Sequence, residues 1–230
     1  MNFENLKDNE EIREQVNELV KDKSVIIKIA LGLLVYTVAA ILPMFIPVIN
    51  IIWLIVGIPT LCMGFVKFLL QLTRDKETDI DTMFDHFVDK KGLSTATYWL
   101  YCVYLTLWMC VLYIPIFIKA FSYSMTFFLL ADGEEETANN LITRSRKMMD
   151  GNKMKLFKLV LSYLLQIFLL VILLSAVNVA IYGFAITEGL SNAILLASVI
   201  GYYIFSAYIG FKMYLAIAYF YEDLKVNYKE

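Results

Sequence analysis

The long apolar runs of this 230-residue chain contain no aspartate, no glutamate and no histidine. Proton- and many cation-coupled carriers hold such groups inside their helical bundles. The usual coupling equipment is therefore missing, although a passive route or a neutral substrate stays open. Charged residues make up only 18% of the chain and hydrophobic ones 60%, where soluble domains run near a quarter and a half. That excludes an ordinary soluble domain. A formal net charge of −2 lacks the basic domain that nucleic acid requires. Cys62, Cys102 and Cys110 all fall in apolar runs without a CxxC pair, so they read as space-filling thiols, not as a disulfide framework or metal site. No GxSxG, HExxH, Walker or GxGxxG pattern stands in usable context, and the serines and threonines of the apolar runs have no nearby base. Neither an enzyme nor a cofactor is expected.

What is present is apolar sequence in membrane-span lengths. Runs lie at about 24–42, 48–72, 94–131, 156–186 and 193–221. "PMFIP" separates the first two, and Pro43 and Pro47 both oppose one continuous helix. The 94–131 run would be about 57 Å of helix against a hydrocarbon core of about 30 Å. It must turn, and Pro115 in "LYIPIFIKA" is the place. The expected fold is all-α and polytopic, with about six transmembrane helices. A re-entrant 116–131 is the alternative to a full sixth span.

Charge tests this count. Lys and Arg number four in residues 1–23, four in 73–92, five in 132–155 and two in 222–230, and none lies in the turns near 43–47, 114–116 and 187–192. Positive charge marks the cytoplasmic side, so both termini are expected inside. The polar, acidic stretch Met1–Lys23 is not a cleavable signal peptide. The whole reads as one integral membrane domain, 1–230. It comprises a cytoplasmic amphipathic helix (1–23), a hairpin (24–72), a second amphipathic helix (73–92) and hairpin (93–131), a third, basic amphipathic helix (132–155) and hairpin (156–221), and a tail (222–230).

The third amphipathic segment, "EEETANNLITRSRKMMDG", shows the pattern best. Ala138, Leu141, Ser145, Met148 and Met149 recur at three- and four-residue spacing. Glu134–Glu136 and Arg146–Lys147 suit the two ends of the helix dipole, and Gly151 is a stop signal. Its apolar side is expected in lipid, with Arg144, Arg146, Lys147, Lys153 and Lys155 toward anionic headgroups. The unit repeats loosely. Val20, Val88 and Met149 align, as do Leu19, Phe87 and Met148, then Val16, Phe84 and Ser145, then Ile12, Ile80 and Leu141. Each segment precedes a hairpin.

Five lysines lie in the runs. Lys28, Lys67 and Lys158 are close enough to inner ends to snorkel. Lys119, expected in the outer half, and Lys212 have no acidic partner in any run. They are the candidate ligand-binding residues, forming a cationic pocket for a phosphate or carboxylate headgroup. His86, with Asp81, Asp85 and Asp89 at four-residue spacing, invites a metal. Ile80, Phe84, Phe87 and Val88 supply the opposite, lipid-facing side, and no second nitrogen or sulfur ligand is near. No metal is expected. Ala193, Ala197, Gly201, Ser206 and Gly210 would let the last helix pack closely within the monomer.

The chain also resembles, as a divergent member, a bacterial integral-membrane family catalogued as domain of unknown function nine-seven-five. The resemblance rests on Ile114, Pro115, Lys119, Ala120 and Ser122–Met125. It continues through Ser145, Arg146, Met148, Met149, Gly151, Lys153, Leu156, Phe157, Leu161 and Ser162, and ends with Ala218, Phe220 and Tyr221. Ile116 stands where the family has glycine, Leu165–Gln166 where it has Gly–Trp, and no proline precedes the last motif. The resemblance implies multi-span residence in a bacterial plasma membrane and no established activity. Two functions fit: binding or moving a lipid-like or anionic amphiphile, or an immunity role against a peptide or protein toxin. The partners are membrane lipids, with a membrane protein or peptide in the second case.

Overall fold

The computed structural model describes residues 6–74, 78–88, 90–111, 113–133, 137–183 and 188–228, and among them every regular element is helical. Helix α1 (Asn9–Leu19) is capped by Asp8, whose carboxylate accepts the Asn9 N–H at 2.7 Å, and Glu10 and Glu11 occupy its first turn. Both features complement the positive end of the helix dipole. Asp22 caps α2 (Lys23–Ile41) through the Ser24 N–H at 2.9 Å. A 3₁₀ turn over Leu42–Phe45 follows, where Pro43 and Pro47 were expected to break the helix.

The next run is not one regular helix. It comprises α3 (Ile49–Ile52), a π-helical stretch Trp53–Gly57, and α4 (Ile58–Arg74). Pro59 explains part of this irregularity. It has no N–H for the carbonyl four residues back, and that carbonyl, Ile55, accepts instead from Trp99 Nε1 at 2.9 Å. A freed carbonyl in an apolar environment needs such a donor.

Beyond α4 come a 3₁₀ segment Ile80–Phe84 and the single turn α5 (Asp85–Val88). Helices α6 (Lys91–Val111), α7 (Tyr113–Tyr123) and α8 (Thr126–Ala131) form the second hairpin. Then follow α9 (Ala138–Met148), α10 (Lys153–Gly183) and α11 (Glu188–Asn227). Among the described residues, four stretches are long and apolar enough to cross a membrane: Lys23–Phe45, Ile49–Arg74, Lys153–Ala180 and Asn192–Asn227. Pro115–Ala131 is a shorter apolar helix.

The core lies at one end of the bundle, where the charges are. Ile12, Val16 and Leu19 of α1, Leu141 and Met148 of α9, Leu69 and Leu72 of α4, Leu129 and Leu130 of α8, and Leu215 and Leu224 of α11 are all at most 2% exposed. The opposite halves of the long helices show Leu34, Val38, Phe168, Leu173, Leu196 and Ile204 to their surroundings. This corrects one expectation. The apolar face of α9, expected in lipid, is covered by protein, as is that of α1. Their spacing was read correctly, but a face of that width is equally suited to a helix bundle and to a bilayer. Gly151 does end α9, at φ +83°, and Arg146 and Lys147 do occupy its last turn. Glu134–Glu136 lie outside the described residues.

The packing order is cyclic. The segment 80–88 packs on α4 and α2, and α9 packs on α6, α7 and α8. Each thus docks on the hairpin before it in the chain. The first surface helix, α1, docks on α10 and α11, the last hairpin. Three surface segments thus meet three hairpins at three seams. α1 and α9 match closely, each eleven residues with a capped start. The middle segment does not match them. Phe84 and Val88 are 36% and 81% exposed, because a 3₁₀ turn has three residues per turn and cannot sustain a four-residue stripe.

Gly64 shows how tightly that segment sits. A Cβ there would lie 1.7 Å from the backbone oxygen of Met83. The expected small-residue packing of the last helix fails in contrast: a Cβ on Gly201 or Gly210 would meet nothing within 4 Å.

Gly64→Ala is expected to destabilise the protein by about 2–3 kcal/mol, an overpacking cost, because the obstruction is backbone. Gly92→Ala, with nothing within 4 Å of its Cβ, should be neutral or stabilising by up to about 1 kcal/mol. Thermal unfolding of both variants in detergent checks the pair.

Candidate functional site

Each hairpin's second strand of helix carries one lysine that faces the surface segment docked on it. Lys67 of α4 donates to Asp85 of α5 at 2.6 Å. Lys212 of α11 donates to Asn17 of α1 at 2.5 Å and stands 5.5 Å from the ring of Tyr208. Lys119 of α7 sits 4.3 Å over the ring of Trp108. It lines a cleft with Ile118, Ser122, Arg146, Lys147, Asp150 and Lys153.

Two expectations change here. Lys119 is not at the far end of the hairpin, since it shares a cleft with the basic end of α9. Lys119 and Lys212 do not converge, since they belong to different seams. The basic residues read as a surface lip are partly a wall: Arg146, Lys147 and Lys153 line the cleft, while Lys155 lends its backbone carbonyl to the Asn9 side chain at 3.0 Å. Arg144 is engaged elsewhere.

Local sequence sets the cleft's shape. α7 ends at Tyr123 and α8 restarts at Thr126, and the break is held by Ser145 of α9. The Met125 N–H donates to Ser145 Oγ at 3.1 Å, and that hydroxyl donates to the Ser122 carbonyl at 3.0 Å. α9 is thereby fastened against α7, with its basic end beside Lys119. On the other flank, Tyr104 of α6 donates to Asn139 of α9 at 2.9 Å. α6 has 21 residues, about 31 Å of helix, beside α10, whose 31 residues extend about 46 Å.

The cleft is cationic. Lys119, Arg146, Lys147 and Lys153 stand against one carboxylate, Asp150, which already accepts from Lys153 at 3.4 Å. Its volume is about 240 Å³, below the roughly 300–1,000 Å³ that enclose a drug-sized molecule. Ile118, 51% exposed, is the one apolar residue of its lining.

A second cavity, also about 240 Å³, opens between α4, α5 and the end of α8, lined by Lys67, Arg74, Asp85, His86, Lys90 and Asp132 among others. His86 is 4% exposed and its Nδ1 lies 3.1 Å from Ser94 Oγ. Asp85 turns to Lys67, Asp89 lies outside the described residues, and no metal-binding group of His, Cys, Asp and Glu forms among the described residues.

Where α4, α8 and α11 meet, Asp132 closes a charge network. Its carboxylate, with a side chain 5% exposed, accepts from Arg74 at 2.8 Å, from Tyr221 at 3.0 Å and from Lys225. Arg74 also reaches Glu222 at 2.6 Å. Two cations face two anions. Burial opposes ionisation of Asp132, but hydrogen bonds from Lys225, Arg74 and Tyr221 outweigh it and hold the carboxyl below the usual carboxylate range. Sequence reasoning missed this hub because its members are distant in the chain. Their one shared signal was position at the end of an apolar run.

No protein-family model, no curated protein and no solved structure matches this chain. Its chemistry rests on its own residues.

Asp132→Asn should cost about 2–3 kcal/mol, less than a fully buried pair because Arg74 and Lys225 are a third or more exposed. The sign of its pH dependence follows from the lowered carboxyl. The stabilisation is present above the unfolded value near 3.9 and is lost as pH falls through the folded one. Thermal unfolding of both proteins across pH should show a constant gap at neutral pH that closes only in acid.

Proposed function

We propose that this chain is a non-enzymatic, multi-pass protein of a bacterial plasma membrane that binds the anionic headgroup of a lipid-like amphiphile in the cleft between α7 and α9. Both termini and the three surface segments lie on the cytoplasmic side. Six apolar helices form three hairpins, with a re-entrant 116–131 as the alternative to a full sixth span. The distribution of Lys and Arg over alternate connections supports this orientation. Kinship with the family of unknown function is part of the proposal and stands on the residues that carry the resemblance.

The observation that carries the reading is the convergence of Lys119, Arg146, Lys147 and Lys153 on a small cleft. A headgroup fits its charge, and the volume leaves the acyl chains outside, with Ile118 the apolar residue at the lining. Lys212, already donating to Asn17, is outside the site.

Native mass spectrometry in detergent, with phosphatidylglycerol as probe, tests this. The wild type should retain one lipid. Lys119→Leu/Arg146→Gln/Lys147→Gln should weaken it by more than about 100-fold, at roughly 1 kcal/mol for each charge near a membrane surface, and Lys212→Leu should bind as the wild type does. Equal binding by the triple variant and the wild type would end the headgroup reading. Protection of a sensitive strain against a membrane-active peptide would then be the property to assay.

A further inference from the structure

The three seams differ in one respect: what sits on the lysine. At the α7–α9 seam Lys119 faces a cleft with three more cations. At the α4–α5 seam Lys67 faces a carboxylate of its own chain, Asp85, at 2.6 Å. Behind that pair lies a cavity of the same size. We infer that the cavity between α4, α5 and α8 is a second site for a phosphate-bearing headgroup, kept closed because Asp85 occupies on Lys67 the place a ligand anion would take. The inference rests on the headgroup reading of the first cleft and extends it to a specificity residue.

The charges around the cavity support this. Asp132 is committed to Arg74, Tyr221 and Lys225. Lys90 donates to a neutral partner, the Gly133 carbonyl, at 3.1 Å. Among the described lining residues Asp85 is therefore the carboxylate that offsets Lys67 at this wall, and without it Lys67 and Lys90 would confront an incoming anion. The pair is reachable, with the Lys67 and Asp85 side chains 29% and 42% exposed. A tethered carboxylate has a high effective concentration, so it displaces a dilute ligand while the pair persists. Removing its charge while keeping its shape opens the site.

The test is a phosphatidylglycerol titration by native mass spectrometry on wild type, Asp85→Asn and Asp85→Asn/Lys67→Leu. The expected occupancies are one lipid, two lipids, and two with the second weakened about fivefold. Asp85→Ser serves if the asparagine variant does not fold. Inorganic phosphate, titrated in parallel, separates the sources: a second site that takes phosphate but no lipid is a soluble-anion site and supports the cavity. An Asp85→Asn or Asp85→Ser protein that is folded and gains neither lipid nor phosphate overturns the inference. That outcome leaves the first lipid in place, whereas loss of the headgroup reading is seen in the wild type alone.

Discussion

Asp132 ties together three helices at the end where their buried leucines also meet. Between apolar helices surrounded by lipid, burial supplies no drive to associate, and packing and polar contacts must do it. Here the ends of α4, α8 and α11 meet through one carboxylate that accepts from two of them and terminates the third. Phe128 and Tyr221 stack beside it with ring centroids 5.4 Å apart. The hub sits at the end where water is available, so the charges need not be carried into the apolar half. Everything that follows in the fold is built outward from that end.

The surface segments add the missing hydrophobic drive. α1 and α9 bring Ile12, Val16, Leu141 and Met148 onto the helix ends, where an aqueous reference state makes burial worth about 25 cal/mol per Å². The far halves of α10 and α11 remain uncovered because nothing there needs to be withdrawn from water. The same arrangement disposes of the lysines. A cation on an apolar helix must reach a polar layer, and the docked segment is the nearest one. Lys67 finds Asp85 and Lys212 finds Asn17, while Lys119 finds a basic helix end. The three lysines share one physical problem and have three different solutions.

Periodicity and composition made much of this legible. The apolar runs, the break at Pro43–Pro47, the stripe of Ile12, Val16 and Leu19 and the stop at Gly151 follow from local rules that the structure obeys. What was not legible is which surface an apolar stripe meets, since lipid and protein ask for the same residues. The shift of Lys119 from the outer half to the basic cleft follows from that ambiguity, because α9 had no known neighbour. The middle segment misled for a different reason. Ile80, Phe84 and Val88 keep the four-residue spacing, but the close approach of Met83 to Gly64 favours a tighter helix. Gly64 itself was one glycine among several until a neighbour's backbone stood against it. Pro59 was the readable sign of the irregular stretch Trp53–Gly57, while its remedy, Trp99, came from another helix.

The three places where a helix lysine meets a surface segment differ in backbone, since the middle segment is a 3₁₀ turn and a single helical turn, and they differ in charge. A single residue on the docked segment, Asp85 at one seam and Asn17 at another, decides whether the lysine is neutralised, hydrogen-bonded or left among cations. The α7–α9 seam departs furthest from neutrality because α9 ends in Arg146 and Lys147, where the helix dipole favours cations. The basic end that stabilises α9 as a helix is therefore the same feature that makes its seam receptive to an anion.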